Sequence, residues 1–254
     1  MLKVENLSFS YGREGILKDI CFSAEPGKIT VLIGTNGAGK TTLLNCLTHR
    51  LKGGGKIVLD EQDLSGLSFE KRSELISYLE QSTLCDAALN VFEVILLGRM
   101  GRLGFRISKE DHDAVNQMMR LLHLENLAGR NISELSGGQR QMVFIAQALV
   151  REPRLFILDE PVSALDLNHQ FHLMDFLKTR TREKGYTTII TLHQLDLAAQ
   201  YADHLVILHN GQVYREGPPE KILNEGIFHD VYQLNCEIYT DSFGKRHFVP
   251  TGSI

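Results

Sequence analysis

The sequence predicts an α/β fold built on a mostly parallel, buried sheet, and three observations carry that reading. Lys28-Ile-Thr-Val-Leu-Ile-Gly34 is a β-rich run that reaches a glycine-rich turn and then a helix-like segment at 41–50, the strand-loop-helix order of an α/β unit. Strand-like runs at 154–159, 187–191 and 205–209 alternate with helical stretches such as 169–183, where Leu173, Phe176 and Leu177 recur at helical spacing. Between 82 and 150 the pattern turns helical, with Val115, Met118, Met119 and Leu122 on one face and Met142, Ile145, Ala146 and Leu149 on another. This middle reads as a helical subdomain, 82–150, inserted into a core assembled from both ends of the chain.

Taken in order, 2–9 and 20–22 read as antiparallel strands joined by the turn around Gly12 and Gly15. A short strand-like run follows at 56–59, and Gly53-Gly54-Gly55 before it reads as a loop.

Composition narrows the function. The 254 residues are 43% hydrophobic and 23% charged, ordinary for a folded domain, and the net charge of -4 comes without a Lys/Arg block or aromatic-basic alternation. Nucleic acid is therefore not an expected partner. Unbroken apolar stretches, such as 94–97 and 155–158, are far shorter than the ~18 residues of a membrane span. The first residues lack the charged-then-apolar layout of a signal peptide. Cys21, Cys46, Cys85 and Cys236 are widely spaced, which fits reduced thiols in a cytosol.

Chemistry concentrates in a few motifs. Gly34-Thr-Asn36-Gly37-Ala38-Gly39-Lys40-Thr41 satisfies G-x-x-x-x-G-K-[ST] between a predicted strand and a predicted helix. Its glycines let backbone N–H groups converge on phosphate, Lys40 reaches the terminal phosphates, the Thr41 hydroxyl can coordinate magnesium, and Thr42 adds a contact. Leu155-Phe-Ile-Leu-Asp159-Glu160 is a hydrophobic strand ending in two acids, at the sheet edge where open α/β folds bind ligands. Alone it reads as a helix N-cap region; beside a phosphate loop, Asp159 becomes a magnesium holder and Glu160 the general base that polarises water. His193 follows the 187–191 run and is placed to donate to a γ-phosphate, and Gln81 stands where core meets helical insert, able to touch magnesium and water. In Leu135-Ser136-Gly137-Gly138-Gln139-Arg140-Gln141, Ser136 is a natural N-cap and the two glycines open a second anion-binding helix start.

These residues, with Ser163-Ala-Leu-Asp166, occur in the order found in the nucleotide-binding subunits of ABC transporters, which the chain resembles over nearly its whole length. The resemblance implies a single ABC ATPase domain, 1–254: a P-loop NTPase (RecA-like) core with an N-terminal antiparallel β subdomain and the inserted α-helical subdomain. It implies ATP and Mg2+ as ligands and Tyr11 as the aromatic stacked on adenine. It further implies Asp166 as a nucleotide-binding residue and a head-to-tail homodimer, in which the turn of Ser136, Gly137, Gly138 and Gln139 of one copy closes over ATP held by the other. A transmembrane permease is the implied partner, contacted through 82–102, with the chain peripheral on the cytoplasmic face of the membrane. Leu97-Gly98-Arg99 and the 231–250 tail resemble importer ATPases for iron-siderophore, haem and cobalamin, which also implies a periplasmic or surface substrate-binding protein. A soluble ABC ATPase of cluster assembly is the alternative. Tyr78-Leu-Glu-Gln81 lacks the family's frequent proline, and Val162 replaces a common threonine.

Overall fold

The computed structural model describes residues 1–81, 88–99, 107–242 and 246–254. Chain order is β1 (Leu2–Tyr11), β2 (Glu14–Ala24), β3 (Lys28–Ile33), α1 (Lys40–Leu47), β4 (Gly54–Leu59), β5 (Gln62–Asp63), α2 (Phe69–Leu75) and β6 (Ile76–Leu79). Then come α3 (Val91–Leu97), α4 (Lys109–Leu121), α5 (Gly137–Leu149), β7 (Leu155–Asp159), α6 (Leu167–Lys184), β8 (Thr187–Thr191) and α7 (Leu195–Tyr201). β9 (His204–His209), β10 (Gln212–Gly217), α8 (Pro219–Ile222), α9 (Glu225–Tyr232), β11 (Leu234–Thr240) and β12 (Arg246–Ser253) complete it. Two compact units result, Met1–Leu67 with Leu177–Ile254, and Ser68–Phe176.

In the first unit, β10, β9, β3 and β8 lie side by side in that order. β3 runs parallel to both neighbours and β10 antiparallel to β9. Every residue of β3 after Lys28 and every residue of β8 is buried, which is why both read as continuous apolar or β-branched runs and not as alternating ones. The buried threonines of β8 need partners, and the Thr181 and Thr188 hydroxyls meet at 2.7 Å. A second, antiparallel sheet takes the order β2-β1-β4-β5. Its hairpin turn is Gly12-Arg13 alone, with Tyr11 opposite Glu14 and Gly15 already inside β2. The C-terminal hairpin β11–β12 adds a third sheet.

One expectation is corrected. Gly54 and Gly55 are not loop residues but open β4, with Gly54 opposite Ser8. Gly55 has φ +93, and a Cβ there would stand 2.4 Å from the Asn6 carbonyl oxygen, so the glycines serve a close approach of two strands.

In the second unit β6 and β7 pair in parallel, Leu79 opposite Leu158. Three of its helices start on capping boxes: Asn90 with Glu93, Ser108 with Asp111, and Ser136 with Gln139. Val115, Met118 and Met119 of α4 and Ile145, Ala146 and Leu149 of α5 are buried, the faces their spacing predicts. Of the segment expected to face a permease, 82–87 and 100–102 lie outside the described residues, as does Cys85.

Asp111 ties the start of α4 to the end of α3. Its carboxylate accepts from the Ser108 hydroxyl at 2.7 Å, the Arg99 Nε at 2.5 Å and the Ser108 N–H at 3.0 Å, and these hold its pKa down to about 2 from an ordinary 3.8. A carboxyl depressed on folding stabilises above its unfolded pKa and loses that contribution as pH falls through the folded value. Asp111→Asn should therefore destabilise the protein at neutral pH and draw level with the wild type between pH 4 and pH 2. Chemical denaturation across that range checks this.

Candidate functional site

In the first unit, neighbouring parallel strands β3 and β8 end together, Leu32 opposite Thr191, and so deliver Gly34 and His193 to the same carboxyl edge of the sheet. The loop after β3 needs glycine where it turns: Gly37 has φ +79 and Gly39, the N-cap of α1, has φ +99. A Cβ on Gly37 would meet nothing within 4 Å, so what glycine supplies there is backbone freedom and an uncovered amide surface. Lys40 is only 7% exposed; its ammonium donates to the Gly34 carbonyl at 2.8 Å and to the Thr35 carbonyl at 3.1 Å. The charge is thus held over the loop by the loop's own backbone. No acidic residue sits in the first turn of α1, so no carboxylate of its own offsets the positive end of its dipole. Asn36 and Thr41 are exposed, Thr42 half-exposed and Ala38 buried. Tyr11, at the hairpin tip, is 54% exposed and keeps its ring on edge to Phe9, 4.8 Å between centroids. His193 is exposed. Near the far end of α1, burial pushes the Cys46 thiol up to about 11, so it stays protonated and inert at neutral pH.

In the second unit, β6 and β7 end together in the same way, which brings Gln81 to Glu160. The Gln81 Nε2 donates to the Glu160 carboxylate at 2.7 Å, across 79 residues of sequence. Glu160 has φ +50, a left-handed conformation that costs a non-glycine side chain and is characteristic of functional positions. Asp159, ending β7, is 2% exposed.

The turn before α5 uses its polar side chains on itself: the Ser136 hydroxyl accepts from Gln139 N–H at 3.3 Å, and the Gln139 side-chain carbonyl accepts from Ser136 N–H at 3.2 Å. Gly137 stays open, with nothing within 4 Å of a Cβ, whereas a Cβ on Gly138 would come within 3.0 Å of Leu165. The turn and Asp166 face one cleft of about 970 Å³, continued by Met142, His172 and Phe176. Asp166 also caps α6, accepting from His169 N–H at 2.9 Å, a bond that with the His169 ring holds its carboxyl below the usual range.

Thr41 in the first unit and Asp159 in the second each carry a hard oxygen, the type that magnesium takes while keeping several waters and phosphate oxygens of its own. No cluster of three or more His, Cys, Asp or Glu occurs among the described residues, so a cage made by protein alone is not what these residues provide.

Residues 17–163, more than half the chain, match the ABC transporter family. The chain belongs to that family. The ferric enterobactin transport ATP-binding protein FepC of Escherichia coli K12 is 34% identical over 255 residues, covering 99% of this ABC chain and 94% of that protein. A putative metal-chelate type ABC transporter, solved in an inward-facing conformation, has a chain that superposes with TM-score 0.84 at 29% identity, covering 98% of this chain and 96% of that one. A dimeric, post-hydrolysis ATP-binding cassette bound to ADP and phosphate superposes with TM-score 0.77 at 26% identity, over 86% of this chain and 99% of that one. The ABC chain is thus an ATP-binding cassette of P-loop NTPase fold, and no helix among its described residues is long and apolar enough to cross a membrane.

Sequence reasoning missed two residues that shape this ABC site. Buried Gln141 donates its amide to the Pro161 carbonyl at 3.2 Å, and buried Gln170 donates to the Leu165 and Val162 carbonyls at 2.9 and 3.2 Å, fixing the stretch between Glu160 and Asp166. Their signal was a polar residue on an otherwise buried helical face.

Proposed function

We propose that this chain is the ATP-hydrolysing subunit of an importer of metal chelates of the iron-siderophore, haem or cobalamin type. It acts as a homodimer on the cytoplasmic face of the membrane against a separate permease, which receives cargo from a substrate-binding protein outside. The observation that supports it best is the near-complete coverage of a ferric enterobactin ATP-binding protein and of a metal-chelate transporter's chain.

In this reading the backbone of the phosphate loop and Lys40 bind the β- and γ-phosphates, and Tyr11 orients the adenine. Thr41, Asp159 and Gln81 hold magnesium directly or through water; when bound, the ion neutralises charge on the phosphate oxygens. Glu160 accepts the proton of the attacking water, and His193 donates to the γ-phosphate. Ser136, Gly137, Gly138 and Gln139 present a second helix start to the ATP of the partner copy, with Asp166 on the same cleft.

Extraction of native membranes in mild detergent through a tag on this chain should recover a many-spanning membrane protein in equal amount. Recovery of soluble proteins alone would replace the transport reading with the cluster-assembly one.

A further inference from the structure

Three glycines of the first unit mark places where a side chain would meet close neighbours, backbone at Gly34 and Gly211 and the Leu17 side chain at Gly39, and they form one connected path around the phosphate loop. At its start, a Cβ on Gly34 would lie 2.3 Å from the Leu208 carbonyl oxygen, near the end of β9. At its end, a Cβ on Gly39 would lie 2.8 Å from Leu17 Cδ2 and 3.5 Å from Ile16 Cγ2, both on β2. Between these, a Cβ on Gly211 would lie 2.1 Å from the Ile16 carbonyl oxygen, while the Gly211 carbonyl accepts from Lys18 N–H at 2.8 Å. Gly211, φ +77, follows Asn210, φ +49, in the two-residue turn from β9 to β10, the primed geometry that a right-twisted hairpin requires. The same hairpin therefore touches the loop directly at Gly34 and indirectly, through the wedge of β2, at Gly39.

We propose that the β9–β10 turn at Gly211 is a positioning element for nucleotide, setting the phosphate loop through Ile16 and Leu17. The inference rests on the reading of residues 34–41 as an ATP-phosphate cradle and adds residues outside that motif to what determines its affinity. Leu17 is 2% exposed and fills the space behind Gly39, the residue whose left-handed backbone starts α1. A side chain on Gly211 has no room unless β2 moves, because what it meets is backbone and not the flexible end of a side chain. Displacing β2 displaces Leu17, and with it the backstop against which Gly39 holds its conformation. Phosphate binding by converging N–H groups depends on that conformation, whereas the proton transfer assigned to Glu160 does not, so the effect falls on binding and spares turnover.

Gly211→Ala should raise the KM for ATP about tenfold, equivalent to about 1.4 kcal/mol, and leave kcat within about twofold of wild type. Leu17→Ala, which introduces no clash and removes only the backstop, should raise KM in the same direction, and it carries the test if Gly211→Ala fails to fold. Gly185→Ala is the control for backbone strain: Gly185 has φ +68 with nothing within 4 Å of a Cβ, so alanine there strains the backbone as much without pressing on anything. It should lower Tm and leave KM unchanged. Unchanged KM in both Gly211→Ala and Leu17→Ala, or an equal rise in Gly185→Ala, would overturn the proposal. A wild-type chain that neither binds nor hydrolyses ATP would instead remove the nucleotide reading beneath it.

Discussion

Glu160→Gln should bind ATP as tightly as the wild type, accumulate as a nucleotide-bound dimer, and release phosphate about 10² to 10⁴ times more slowly, the range a positioned general base contributes. Glutamine keeps the size of the side chain and an oxygen that can accept the Gln81 amide, now at 2.7 Å, so the pair seen here survives the change. The left-handed backbone at residue 160 is also retained, because an amide meets the same steric limits as a carboxyl. Only the capacity to take a proton from water is lost. Single-turnover phosphate release alongside equilibrium nucleotide binding separates the two effects, and brisk turnover by the variant would withdraw Glu160 from the role of base.

Lys40→Ala acts on the other half of the chemistry and should weaken nucleotide binding. The ammonium is nearly buried and fastened to two carbonyls of its own loop, which keeps it pointed where phosphate would lie. A hydrogen bond to a charged group is worth about 1.5–3 kcal/mol, so losing it should weaken ATP about ten- to a hundredfold. The Gly34 and Thr35 carbonyls also lose a donor, which loosens the empty loop. Nucleotide titration by fluorescence should show ATP and ADP weakened together, because both carry the β-phosphate. Unaltered ATP affinity in a folded variant would contradict the assignment.

What could be read from sequence follows a physical division. β3 and β8 were legible to within a residue because strands buried on both faces carry unbroken apolar or β-branched runs, and the glycine-rich turn from β3 into α1 because its signal is local and contiguous. The faces of α4 and α5 followed from helical periodicity alone. The glycine triplet misled, since glycine marks a loop as readily as a strand that approaches another strand's backbone, and only the Asn6 contact of Gly55 tells the two apart. Contacts made across long separations left no local trace: the Gln81 amide on Glu160, and the Ile16 carbonyl against Gly211. Asp166 illustrates the converse, a motif residue whose visible bond is the plain capping of α6 through His169.

The most direct test of the account is phosphate release by the complex extracted from native membranes, measured with Mg2+ and ATP and compared with the same complex carrying Glu160→Gln. The account predicts steady release from the wild type, stimulated by the membrane partner, and near-background release from the variant with ATP still bound. Equal release from both, or none from a wild-type complex that binds ATP, would contradict it.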